Sequence, residues 1–163
     1  MSKIIALIDR TLAVFCVVLC VGLVISVVWQ VFSRYVLNAP STVTDELARF
    51  FFIWVGLIGA AYGVGQKKHL AIDLLLMKLE SNPRKHAFLQ LVINLVSLFF
   101  IVVIMCYGGG RLVIDTISAG QISPVLGIQM GLVYLALPVS GFFMFVFLLR
   151  DLVSDLRQLS VQY

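Results

Sequence analysis

Charge is what this chain has least of. Asp, Glu, Lys and Arg make up 12% of its 163 residues, against about 25% in soluble domains. Four stretches, residues 11–33, 50–66, 87–110 and 116–149, contain no Asp, Glu, Lys, Arg or His at all. They run to 23, 17, 24 and 34 residues, and a helix crosses a bilayer core of about 30 Å with roughly 20 apolar residues. Each stretch therefore reads as one span, the last as a span plus an uncharged loop. With 61% hydrophobic residues and a mean hydropathy of +1.08, a soluble globular domain is excluded.

The same shortage limits what the chain can do. Without an ionisable side chain in the apolar stretches, it has little with which to hold an ion or charged solute at mid-membrane. The sequence has no Ser/His/Asp or Cys/His arrangement and no paired carboxylates in the middle of a span, so an enzyme is not expected. Its two histidines, His69 and His86, flank the second loop, whereas a haem-binding anchor needs histidines inside its spans. Cys16, Cys20 and Cys106 lie within apolar stretches with no His or carboxylate to complete a metal site. They read as packed thiols, and neither cofactor nor metal is expected. The net charge of +4 does not mark a nucleic-acid protein, because its Lys and Arg residues sit at span ends rather than on one patch.

What is present is an all-α membrane protein with four spans, expected over residues 11–32, 44–65, 87–110 and 129–149 of a single domain. The apolar run after Lys3 and Arg10 is too long for a signal peptide. Asn38-Ala39-Pro40 marks the first turn. Thr44 is the expected N-cap of the second span, placing Asp45 and Glu46 at the positive end of the helix dipole. Residues 116–128, with Gly120, Pro124 and Gly127, read as a loop. Pro138 is expected to bend the fourth span, a feature membranes tolerate. Nine Lys and Arg residues in the N-terminus, second loop and C-terminus against three in the other loops predict both termini in the cytoplasm. Aromatics close the first span (Trp29, Phe32, Tyr35) and open the second (Phe50, Phe51, Phe52, Trp54), as in an interfacial belt. Residues 69–80 carry an Ile72, Leu75, Leu76, Leu79 stripe and suggest a short helix lying in the cytoplasmic interface or against a partner.

Three constellations stand out. Gly56, Gly59, Ala60 and Gly63 form interleaved small-xxx-small pairs, and Gly127 with Gly131 repeats the spacing; such residues let helix backbones approach closely. The spacing leaves open whether they pack within the chain or against a partner. Asn94 and Ser97 share a face of span three and suit interhelical hydrogen bonding better than a solute path. Asp45, Glu46 and Arg49 are spaced for a local ion pair, or for a docking surface.

Thr44-Asp45-Glu46-Leu47-Ala48-Arg49-Phe50, then Phe52-Ile53-Trp54 and Gly59-Ala60-Ala61-Tyr62, resemble the small membrane subunit of tripartite ATP-independent periplasmic (TRAP) transporters. So do Arg34–Asn38, His69–Asp73, Pro124–Ile128 and Leu135–Pro138, in the family's order over nearly the whole chain. The chain departs from the family at Val43 and Thr44, where many members carry a Trp. The resemblance implies a division of labour. A soluble periplasmic protein captures an organic acid, of the sialic acid or C4-dicarboxylate class. A large multi-span subunit binds it with Na⁺ and moves it inward. The small subunit packs against the fixed part of the large one, enlarges its scaffold in the inner membrane of a Gram-negative bacterium, and helps dock the binding protein. Asp45, Glu46, Arg49, Trp54 and His69 are the family-like positions. A self-contained homodimeric transporter and the membrane anchor of a redox complex are the rival readings.

Overall fold

The computed structural model describes the backbone of residues 2–66 and 83–161 and the side chains of 5–66, 89 and 92–152. The chain is helical: α1 (Ser2–Tyr35), α2 (Thr42–Gly65), α3 (Pro83–Phe99), a π-helical segment (Phe100–Gly108), α4 (Gly109–Ser118), α5 (Met130–Tyr134) and α6 (Ala136–Val161). Four stretches of it, Ile5–Tyr35, Thr42–Gly65, Val92–Ser118 and Met130–Leu152, are long and apolar enough to cross a membrane. The helix expected over 69–80, His69 included, lies outside the described residues.

Helix ends differ from the sequence expectation for local reasons. The first helix begins at Ser2 rather than residue 11 and runs to Tyr35, since nothing in the polar N-terminal turns breaks it. Asn38 then takes a left-handed φ of 51°, a conformation Asn tolerates better than most residues. The N-cap of α2 is Ser41, not Thr44: Ser41 Oγ accepts from the Thr44 amide at 3.5 Å, and Thr44 Oγ1 donates to the Ser41 carbonyl at 3.2 Å. Span three does not end at Gly110 but continues to Ser118. Arg111 and Asp115 ride on that extra length as an exposed i,i+4 pair 3.7 Å apart. The triple glycine Gly108–Gly110 is interior to this helix. Its loop is thus shortened to residues 119–129. The last membrane helix begins at Met130 and is interrupted at Leu135. Pro138 has no amide for the Tyr134 carbonyl and its ring crowds that group, so the break falls one turn before the proline. Ser140 Oγ, fully buried, donates to the carbonyls of Ala136 at 2.6 Å and Leu137 at 2.9 Å beside it.

The four spans form a row rather than a closed bundle. α2 lies between α1 and α6, and α6 packs in turn on the π-helical segment. Along α1 the buried positions are Leu12, Leu19, Ser26 and Ser33, seven apart, the repeat that keeps one seam facing a neighbour. Ser26 and Ser33 satisfy their hydroxyls on the Gly22 and Gln30 carbonyls of their own helix. A Cβ at Gly22 would sit 3.0 Å from the Phe51 ring, so this glycine seats α2. Two cores meet on α2 and α6: Leu12, Ile58 and Phe147 on one side, Ala61, Ile101, Met105 and Met144 on the other.

Span three reaches α6 by an unusual route. Of its buried residues, Ile101, Met105, Gly109 and Val113 are four apart, and Thr116 follows three residues later. In an α-helix each four-residue step overshoots one turn by about 40°, which would wind the stripe away from α6. The i→i+5 bonding of the π-helical segment takes more residues per turn and offsets that overshoot between Ile101 and Gly109, beyond which the helix is α again.

Candidate functional site

Two features of the fold present chemistry that the packing of the chain alone does not account for. They are the charged corner at the end where α1 gives way to α2, and the outward face of α2.

At the corner the α2 N-terminus supplies three charges, and the fold sends them to different partners. Asp45 accepts from Arg49 Nη2 at 2.7 Å and from Gln30 Nε2 of α1 at 2.9 Å. This joins the two helices. Glu46 does not pair with Arg49. Its Oε2 accepts from Ser123 Oγ at 3.0 Å and from the amides of Val125 at 3.2 Å and Leu126 at 2.8 Å. One carboxylate oxygen thus gathers the three donors of a turn that begins at Pro124, which has no amide to offer. The turn is closed on itself as well. Ser123 donates its amide to Ile128 at 2.8 Å, Gly127 to Ser123 at 3.1 Å and Met130 to Gln121 at 3.0 Å, with an antiparallel bridge between Ile122 and Gln129. Gly120 and Gly127 adopt φ of 61° and 66°, values that cost a side chain but not glycine. Gly127 is therefore a turn residue, and its spacing to Gly131 is not a helix-packing motif. Gly131 instead packs closely on Ile117 and the Val113 carbonyl.

Arg49 is 74% and Asp45 48% exposed at their side chains, and exposed i,i+4 pairs contribute about 0.3–0.5 kcal/mol. Arg49→Ala is therefore expected to shift stability by no more than about 0.5 kcal/mol, read as a thermal midpoint in detergent within a few degrees of wild type.

The second feature is a gap in packing. Atoms built as Cβ on Gly56, Gly59 and Gly63 would meet nothing within 4 Å, and Ala60 between them is exposed. Among the described residues, a side chain at any of the three glycines would meet no neighbour. Trp54, expected in the interfacial belt, is instead three turns into α2. It meets Phe15 of α1 edge-on, ring centroids 6.1 Å apart, and packs beside Leu12, Ile58 and Phe147. Asn94 and Ser97 lie near the start of the span Val92–Ser118 rather than at its middle. Neither side chain has a hydrogen-bond partner among the described residues, so the expected interhelical bond is not made there.

Sequence reasoning did not find the partners of Glu46. A serine before a proline between two glycines marks a turn, but no pattern ties it to a residue 77 positions away. It also passed over the opposite end of the row. There Arg150 Nη2 donates to the Gly65 carbonyl at 2.9 Å, covering the C-terminus of α2, while its Nε bonds Asp151 at 2.7 Å and its guanidinium lies 5.3 Å from the Phe147 ring centre.

With this geometry in hand, likeness to known proteins can be placed on it. Residues 23–158 match the family described as tripartite ATP-independent periplasmic transporters, DctQ component. The chain is 33% identical over 132 residues to the sialic acid TRAP transporter small permease protein SiaQ of Vibrio cholerae, covering 80% of this chain and 72% of that one. It is 36% identical over 97 residues to the C4-dicarboxylate TRAP transporter small permease protein DctQ of Rhodobacter capsulatus, 60% of this chain and 41% of that one. It also matches, at 32% identity over 74 residues, 44% of this chain and 12% of the much longer sialic acid TRAP transporter permease protein SiaT of Haemophilus influenzae. Four helices able to span a membrane and a family match over most of the chain make this a multi-pass membrane protein. It belongs to the DctQ component of the TRAP transporters and is a small permease subunit of a transporter, not an enzyme.

Proposed function

We propose that this subunit acts by packing against a large transport subunit and widening its scaffold in the bacterial inner membrane. In this reading both termini and the second loop face the cytoplasm, so the Glu46 corner faces outward. The observation that carries the proposal is the outward face of α2: Gly56, Gly59 and Gly63 stand at close-packing spacing beside exposed Ala60, and a side chain at any of the three glycines would meet nothing within 4 Å among the described residues. Helices associate in lipid by close backbone approach over small residues. An open row of spans also offers broad faces for a second membrane protein to cover. Support comes from SiaT of Haemophilus influenzae, a permease in which a segment similar to this chain forms part of a far longer polypeptide.

Na⁺ coupling and substrate binding belong, on this reading, to the large subunit, because the apolar stretches here hold no ionisable side chain. The substrate is an organic acid; relatives named for sialic acid and for C4-dicarboxylates support the class. A soluble binding protein delivers it from outside.

Purification in mild detergent from native membranes, followed by mass spectrometry, tests the reading. A multi-span partner at one-to-one stoichiometry is the expected result. A homodimer that drives uptake alone after reconstitution would overturn it, and haem absorbance in the purified protein would favour a redox anchor instead.

A further inference from the structure

At the end of the row opposite the Glu46 corner, one carboxylate oxygen is left without a donor. Asp9 Oδ1, on α1, is buried and has no hydrogen-bond partner among the described residues. Burying such an oxygen without a donor is costly. It presents no surface that an ion or a partner could reach, so its donor must come from inside the contact. That contact is tight. A Cβ on Gly65 would lie 3.0 Å from Asp9 Oδ1 and 2.8 Å from Phe147 Cε2, so α1, α2 and α6 meet over this glycine. The carbonyl of the same Gly65 accepts from Arg150 Nη2 at 2.9 Å.

Arg150 is the group at this junction with donors to spare. A guanidinium carries five N–H donors, and here Nε serves Asp151 at 2.7 Å while one N–H of Nη2 serves Gly65. The side chains of Arg150 and Asp151 are each 21% exposed, well shielded beside the pair of Arg49 and Asp45. Asp151 adjoins Arg150 in sequence, so the bond between them joins no two helices. A bond from Arg150 to Asp9 would. At the other end of the row Gln30 and Asp45 tie α1 to α2, whereas at this end the carboxylate that α1 supplies is unpaired among the described residues.

We infer that Arg150 has two seats, Asp151 and Asp9, and that its exchange between them latches α1, the edge helix of the row. In the Asp151 seat, Arg150 joins α6 to the end of α2 and holds no part of α1. In the Asp9 seat it spans all three helices and supplies the missing donor. The Gly65 carbonyl and the Phe147 ring, 5.3 Å from the guanidinium, serve both seats, so side chains turn while the backbone stays. With the latch closed α1 is tied at both ends. With it open α1 hinges on the tie between Gln30 and Asp45.

The test is a double-mutant cycle on the full chain in detergent, read as thermal midpoints. Asp9→Ala and Asp151→Ala each leave Arg150 one carboxylate, and together they leave it none. The double variant is expected to lose about 3–6 °C more than the sum of the single losses. In an Arg150→Gln background the two losses should add. Additive losses with Arg150 present would overturn the inference. The same coupling with Arg150→Gln would overturn it too and assign Asp9 to another donor, such as the hydroxyl of Tyr62, which packs on the Leu12, Ile58 and Phe147 core. If the double variant does not accumulate, spin labels at the exposed positions of Leu7 and Leu149 carry the test alone, with the three cysteines replaced by alanine. Asp151→Ala leaves the Asp9 seat and should give a shorter mean distance than Asp9→Ala. Identical distance distributions in the two single variants would overturn the latch.

Discussion

A leucine at Gly141 is expected to keep span three from seating on α6 and to cost the isolated subunit about 3 kcal/mol or more. A Cβ there would fall 2.8 Å from Met105 Cβ and 3.1 Å from Cys106 Sγ. The first of these is anchored to the backbone and cannot swing aside. Gly109, on the facing helix, is equally confined, 2.8 Å from Leu137 Cβ and 3.2 Å from Pro138 Cδ. The two glycines bring span three and α6 close in the first turns of α6, just after the interruption at Leu135. Overpacking at either should part the helices rather than be absorbed by a rotamer change. Thermal unfolding in detergent, compared with Gly56→Leu as a control, reads the effect. A Cβ at Gly56 would meet nothing within 4 Å among the described residues, so its variant should unfold near the wild-type temperature. Equal midpoints for Gly141→Leu and Gly56→Leu would refute the close contact.

The converse pattern is expected on the outward face of α2. Gly59→Leu combined with Gly63→Leu should leave the subunit folded and inserted, since a Cβ at either position meets nothing within 4 Å among the described residues. The leucines should hold a partner helix away, and interfaces built on small residues depend on that approach. Yield of the complex with the large subunit should fall more than about tenfold, the equivalent of losing roughly 1.4 kcal/mol of association, and uptake should fall with it. Wild-type yield and uptake from the double variant would remove this face from the interface. Taken together, the two glycine pairs separate folding from assembly: Gly109 and Gly141 act within the chain, Gly59 and Gly63 outside it.

Much of this protein is legible from sequence because the bilayer is a severe solvent. Apolar helices satisfy their own backbone groups where no water can, so runs of uncharged residues announced four spans and an all-α fold. Exclusion of an enzyme rested on the same poverty of ionisable groups and agrees with the family to which the chain belongs. The family itself was visible in short motifs spread in order along the chain. Helix ends were less legible. Asp9, Arg10, Arg111 and Asp115 extend helices past the apolar runs, because charged residues are acceptable helix formers beyond the hydrocarbon.

The destinations of individual groups were decided only by tertiary structure. Asp45, Glu46 and Arg49 are spaced for one local cluster, yet Glu46 turns to a loop that the fourth span brings beside it. The glycines of α2 and those at 109 and 141 are alike in sequence, yet the row of helices buries one set and leaves the other open. Ile101 and Met105 are buried within a π-helical segment, Phe100–Gly108, that no sequence pattern marked. In the first two cases the sequence by itself determined the local element, through hydropathy and helix-forming tendency. Which face of that element meets which neighbour depends on contacts between residues far apart in the chain, and local pattern carries no record of them.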